Sequence, residues 1–120
     1  MKALGPVLVA VVLGAVACGS DSPTLVEGVE VEIAAVDNVF DPETTEVEAG
    51  TVVRFINLGR NDHNVIPEDS DADWKVVTDD FGPGDTATYR FTEPGTYRYY
   101  CAIHGTIDTG MPGSITVVAA

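Results

Sequence analysis

From residue 29 onward the chain is written mostly in period two. Val29, Val31 and Ile33 alternate with Glu30, Glu32 and Ala34, the pattern of a strand with one buried face. Residues 38–43, NVFDPE, break the pattern with a turn around Pro42. Residues 44–48 resume it, and Gly50 turns the chain. Residues 51–57, TVVRFIN, read as a buried strand rich in β-branched and aromatic side chains, with Arg54 on its open face or at an edge. A polar turn over residues 59–62 leads to His63, where Asn64, Val65 and Ile66 predict a short strand. Residues 67–73, PEDSDAD, are a solvated acidic excursion, and residues 74–78 are a short strand or an irregular crossing. After a turn through Phe81, Gly82 and Pro83, the residues Thr86, Thr88 and Arg90 alternate with Ala87, Tyr89 and Phe91. Glu93-Pro94-Gly95 is a tight turn, residues 96–101 alternate again, and residues 114–118 close the domain.

No helical period of useful length appears after the N-terminal apolar run, and no repeat is evident. Seven to eight short strands separated by turns predict an all-β fold, a Greek-key β-sandwich of two sheets. Such a frame gathers loops at its ends, where a site can be assembled on rigid supports. Phe55, Tyr97, Tyr99 or Tyr100, Phe91 and Trp74 are the aromatic candidates for its core or for covering its sheets.

The N-terminus has Lys2, an apolar run over residues 3–17 and then Cys18. The run is shorter than the roughly 20 residues that span a bilayer, and polar sequence follows at once, so it reads as an export signal. Ala15-Val16-Ala17-Cys18 resembles a bacterial lipobox, with alanine where leucine is more usual. That resemblance implies a lipidated Cys18 and a protein held at the outer face of the cytoplasmic membrane or in the periplasm. The expected organisation is an export signal over residues 1–17, lipidated Cys18 with a small, polar tether to residue 28, and one domain over residues 29–120. With 120 residues there is room for one domain of ordinary size.

Charge and cysteine usage narrow the function. The chain carries 19 acidic and 6 basic residues, a formal net charge of -13. Nucleic-acid binding is excluded on that balance, because a phosphate backbone requires lysine and arginine to replace its counterions. Glu68, Asp69, Asp71, Asp73, Asp79 and Asp80 offer a docking surface for a basic partner, or an ordinary solvated face. If Cys18 is lipidated, Cys101 has no disulfide partner among the chain's two cysteines, and an unpaired thiol in an oxidising compartment calls for a metal or a reactive role.

Cys101 has company. His104 stands three residues on and Met111, the only methionine besides the initiator, ten; His63 is the one other histidine. Sulfur and imidazole donors suit copper better than calcium or magnesium, which take oxygen ligands. One thiolate, two imidazoles and a weak axial thioether accommodate both oxidation states of copper.

Three runs make the case more specific: Asn57, His63, Asn64 and Val65 as N-x5-H-N-V; residues 95–105 as G-T-Y-x-Y-Y-C-x2-H-G; and residues 110–117 as G-M-x-G-x-I-x-V. In combination they resemble the cupredoxin family of blue copper proteins, on the plastocyanin, pseudoazurin and halocyanin side, from about residue 29 to residue 118. The resemblance implies one copper ion cycling Cu(I)/Cu(II), held by His63, Cys101, His104 and axial Met111. Asn64 would support the thiolate through its backbone N–H, and the carbonyl of Asp62 would approach from the face opposite Met111. It implies a one-electron carrier, expected to be monomeric, working between a redox-protein donor and acceptor. Oxidases and reductases also contain this domain, but two histidines are consumed by one site and leave none for a catalytic centre, so no enzyme is expected. A copper-binding or copper-delivery protein is the alternative. One departure bears on Met111: it stands seven positions after His104, where five is common in the family, so the intervening loop must fold back.

Overall fold

The computed structural model describes residues 30–120. The signal over residues 1–17, Cys18 and the tether to residue 28 therefore lie outside the described residues. Eight strands follow: β1 (Glu30–Val36), β2 (Val39–Asp41), β3 (Thr44–Glu48), β4 (Thr51–Asn57), β5 (Ile66–Pro67), β6 (Thr86–Phe91), β7 (Gly95–Tyr100) and β8 (Pro112–Val118). One sheet has the order β2-β1-β4-β6 and the other β3-β8-β7-β5. Strands β4 and β6 pair antiparallel, as do β7 and β8, whereas β3 runs parallel to β8. This is the two-sheet Greek-key sandwich that the strand pattern predicts. No described helix is long and apolar enough to cross a membrane.

Alternation decides which side chains meet between the sheets. Along β4, Thr51, Val53, Phe55 and Asn57 are buried while Val52, Arg54 and Ile56 are less so. Arg54 lies on the outer face and reaches Glu32 at 2.9 Å. Tyr99 of β7 sits at the centre of the core, edge-on to Phe40 at 4.9 Å and to Phe55 at 5.4 Å between ring centroids. Trp74, from the crossing segment, stacks edge-on against Phe91 at 5.2 Å. Edge-to-face contacts of this kind add to burial through the ring quadrupoles. They also tie the strand that leads to Cys101 into the centre of the sandwich.

Three local expectations change, and one left open between two readings is decided. The turn over residues 38–43 contains β2, because Phe40 is buried and its neighbours pair with β1. Of the strand expected over residues 64–66, Ile66 alone lies in β5, joined there by Pro67, and Val65 makes an isolated bridge to Val76. His63 and Asn64 spend their backbone N–H groups on Phe81 and on the Cys101 sulfur instead of on a sheet ladder. Residues 74–78 form the irregular crossing, followed by a single 3-10 turn, Thr78–Asp80. The last strand starts at Pro112, two residues before the predicted start.

Candidate metal centre

His63 arrives on a loop that an asparagine organises. Asn57 ends β4 in the inward register, fully buried, where an apolar side chain would be the default. Its Nδ2 donates to the carbonyls of Asn61 and Phe81, both at 2.9 Å, and its Oδ1 accepts from the Gly59 N–H at 2.9 Å. The Phe81 carbonyl also accepts from the His63 N–H at 3.2 Å. A buried amide with three bonds thus fixes the path from β4 to His63, where unpaired groups would be costly.

Cys101 follows β7 directly and is fully buried, as is His63. Its sulfur lies 3.7 Å from Nδ1 of His63 and 3.7 Å from Nδ1 of His104. The Asn64 N–H points at the same sulfur from 3.4 Å. The Asn64 side chain works too: its Oδ1 accepts from the Ala102 N–H at 2.8 Å and its Nδ2 donates to Thr78 Oγ1 at 3.1 Å. Asn64 thereby clamps the backbone just after Cys101 to the His63 loop.

The segment between His104 and Met111 absorbs its two extra residues in a side turn. Thr106 N–H donates to the Thr109 carbonyl at 2.8 Å, and the Thr109 N–H returns to Thr106 Oγ1 at 3.2 Å. At its base the two chains touch through glycines: a Cβ on Gly105 would lie 2.6 Å from the Met111 nitrogen, and one on Gly110 would lie 2.6 Å from the Gly105 α-carbon. Only glycine permits that approach, and Gly110 also has a φ of +87°. Beyond the pinch Met111 is fully buried, and its carbonyl accepts from the Cys101 N–H at 3.0 Å. The longer loop thus returns Met111 to the level of Cys101.

Burial, and after it the neighbouring His104, hold the His63 pKa below its ordinary value, against the smaller opposing pull of Asp37 and Asp62. His63 is therefore neutral near neutral pH, the form in which imidazole ligates a metal. Its Nε2 is buried with no hydrogen-bond partner among the described residues, while Nδ1 faces the sulfur. His104 is half-buried and takes its place through an N–H donated to the Cys101 carbonyl at 3.3 Å. Asp62 is exposed beside His63, with its carboxylate near Gly82.

The donor set fits a first-row metal ion. One ligand atom each from His63, Cys101 and His104 lie within 4.8 Å of one another. Bonds of about 2.3 Å to sulfur and about 2.0–2.1 Å to nitrogen, opened to a trigonal angle, set the two donors roughly 3.7–3.8 Å apart. Both observed sulfur–nitrogen separations are 3.7 Å. A soft thiol with two imidazoles, two of the three residues buried, selects copper or zinc over magnesium and calcium.

A Greek-key sandwich that gathers one thiol and two imidazoles beyond the ends of its strands has the architecture of a mononuclear cupredoxin. The chain belongs to the plastocyanin/azurin family of copper-binding proteins, whose family model matches residues 27–118. Plastocyanin from Daucus carota is 32% identical, over 73% of this chain and 98% of that one. Chloroplastic plastocyanin from Hordeum vulgare is 34% identical over 66% of this chain, which spans only 54% of that relative. Among solved structures, the copper-containing nitrite reductase of Thermus scotoductus matches 76% of this chain at 31% identity with a TM-score of 0.62, but only 23% of its own chain.

His63, Cys101 and His104, the ligands expected from the sequence, lie together. The sequence assigns Asn64 a part through its backbone N–H, and Asn57 enters only as the first residue of the N-x5-H-N-V run. Asn57 carried a signal, a polar amide at the end of an inward apolar register. The clamp made by the Asn64 side chain depends on Ala102 and Thr78 arriving from distant segments, and no spacing reveals it.

Proposed function

We propose that the chain is a one-electron carrier with a single copper site formed by His63, Cys101 and His104, with Met111 as the axial ligand. The observation that carries this reading is the placement of Cys101 Sγ at 3.7 Å from both imidazole Nδ1 atoms. Copper bound there would supply a Cu(I)/Cu(II) couple. The protein's part is to hold the donors still: Asn57 fixes the approach to His63, and Asn64 donates to the sulfur and clamps Ala102. A rigid, largely buried set leaves little to rearrange when charge changes. Half-exposed His104 lies where an electron enters or leaves. Asp62, through its carbonyl, is assigned the weakest part, opposite Met111. Both histidines of the chain serve this one site, leaving none for a catalytic copper cluster.

We place the carrier outside the cytoplasm, anchored through lipidated Cys18, on the strength of the N-terminal sequence. Its acidic excursion over residues 68–73 and its net charge suit a basic redox partner. The test is the optical and paramagnetic-resonance spectrum of the copper-loaded chain. An intense visible thiolate band is expected, abolished in Cys101→Ser and altered in Met111→Leu. A band that survives Cys101→Ser refutes the site; a spectrum unchanged in Met111→Leu removes Met111 from it. Ready loss of copper to a chelator with slow electron self-exchange would instead favour copper delivery.

A further inference from the structure

The side turn over residues 106–109 is joined to the ligand segment at Gly105 and Gly110, which contribute backbone contact but no side chain. Among the described residues, the hydrogen bonds that tie this turn to the strands come from Arg98. Its Nη2 donates to Asp108 Oδ1 at 2.9 Å and to the Ile107 carbonyl at 3.3 Å, while Nη1 reaches Glu68 Oε2 at 3.2 Å. Arg98 is well anchored for this work. It lies in β7 three residues before Cys101, pairs with Ser114 of β8, and its carbonyl accepts from the Glu68 N–H at 2.8 Å.

We propose that Arg98 is a positioning residue for His104 and Met111, an inference that rests on the copper reading above. One guanidinium takes a carbonyl and a carboxylate on the loop and a second carboxylate on the acidic excursion, and its planar fork of donors suits that task. It holds the side turn against β7, so the pinch at Gly105 and Gly110 cannot swing. His104 and Met111 flank that pinch. The two residues that lengthen the loop thus come with a strut that offsets the freedom they add.

The geometry also states how the strut weakens. Its ion pairs are exposed, with the Arg98 side chain at 42%, Glu68 at 50% and Asp108 at 77%, so salt screens them. An ammonium group in place of the guanidinium, as in Arg98→Lys, would keep one carboxylate contact and lose the rest of the fork.

Three measurements on Arg98→Ala, compared with Arg90→Ala, test the proposal. Arg90 donates to the Gly50 carbonyl at the far end of β4, so its removal matches the charge change away from the site. Loss of copper to a Cu(I)-selective chelator should quicken about tenfold in Arg98→Ala, at the low end of the roughly 10- to 100-fold effect of residues that support metal ligands. The resonance spectrum should broaden or shift. In the copper-free chain, exchange of the Cys101 amide hydrogen, which reports the bond to the Met111 carbonyl, should quicken as well. Arg98→Lys should fall between Arg98→Ala and the unaltered chain. Raising salt to 1 M should accelerate copper loss from the unaltered chain and scarcely change Arg98→Ala.

Equal behaviour of Arg98→Ala and Arg90→Ala in copper loss and in Cys101 exchange would overturn the proposal. If the unaltered chain takes up no copper, the copper reading falls, and with it this role for Arg98. If Arg98→Ala does not fold, Asp108→Asn carries the test: it keeps the Ile107 tie, so a smaller effect in the same direction supports the strut and no effect overturns it.

Discussion

Replacing Asn64 by alanine separates two contributions that a single residue makes at the Cys101 sulfur. The backbone N–H that points at Cys101 Sγ survives the change. The side-chain bonds to Ala102 N–H at 2.8 Å and to Thr78 Oγ1 at 3.1 Å do not. Asn64 is 7% exposed, so both bonds form out of bulk water on its side. Ala102 is exposed and its N–H recovers some hydration, which puts that loss near about 1 kcal/mol, and the Thr78 hydroxyl can rotate toward solvent for about another 0.5–1 kcal/mol. The total is about 1.5–2 kcal/mol. For a domain of this size that lowers the melting temperature by roughly 6–16 °C.

The measurement belongs on the copper-free chain, because a bound metal adds its own concentration-dependent stabilisation. Thermal unfolding followed by far-ultraviolet circular dichroism gives the shift. The copper-loaded variant should keep its thiolate band, since sulfur and N–H are both retained, while losing copper to a chelator faster than the unaltered chain. A melting temperature within about 2 °C of the unaltered chain, well below the shift expected for about 1.5–2 kcal/mol, would refute the clamp. Loss of the band in a folded variant would refute the division of labour between backbone and side chain.

Two further substitutions probe the frame. The Tyr99 hydroxyl is buried with no hydrogen-bond partner among the described residues, so Tyr99→Phe should leave stability unchanged or raise it by about 1 kcal/mol. A loss of more than about 1 kcal/mol in urea unfolding would mean that the hydroxyl is satisfied. Phe40→Ala removes a ring 2% exposed that packs on Phe55 and Tyr99, and should cost about 3–5 kcal/mol with the thiolate band kept in whatever fraction remains folded. A loss below about 1 kcal/mol in the same assay would show that the β2 edge is not part of the core.

The strands were legible because burial here follows alternation. Val53 and Phe55 point inward at the positions a period of two assigns them, and Arg54 points outward. The candidate ligands stand out because sulfur and imidazole are scarce in this chain, with two histidines in all. β2 was hidden by the polar residues around Phe40, since three residues are too few to display a period. Asn64 reads as strand from its apolar followers, yet its N–H points at the Cys101 sulfur. The alternation over residues 96–101 does not single out Arg98. Its contacts with Ile107 and Asp108 depend on a loop excursion that spacing shows to be long but does not orient.

The two halves of the proposed donor set, His63 with Cys101 and His104 with Met111, are held by different means, and that difference bears on whether the protein carries electrons or exchanges metal. His63 and Cys101 are buried and fixed by Asn57, Asn64 and the Phe81 carbonyl, so releasing either disturbs packed core. His104 and Met111 lie on one segment pinned by the glycine pinch, the Cys101 N–H and Arg98. Local opening needs only the contacts of the segment that opens, so this half can part from the site without global unfolding. Metal exchange would then begin on the side of His104, the half-exposed ligand, with His63 and Cys101 still in place. A stiff loop keeps the donors at one geometry and suits a carrier, whereas a loose one admits a competing ligand and suits delivery. The stiffness of residues 104–111 is therefore the quantity that separates the two readings.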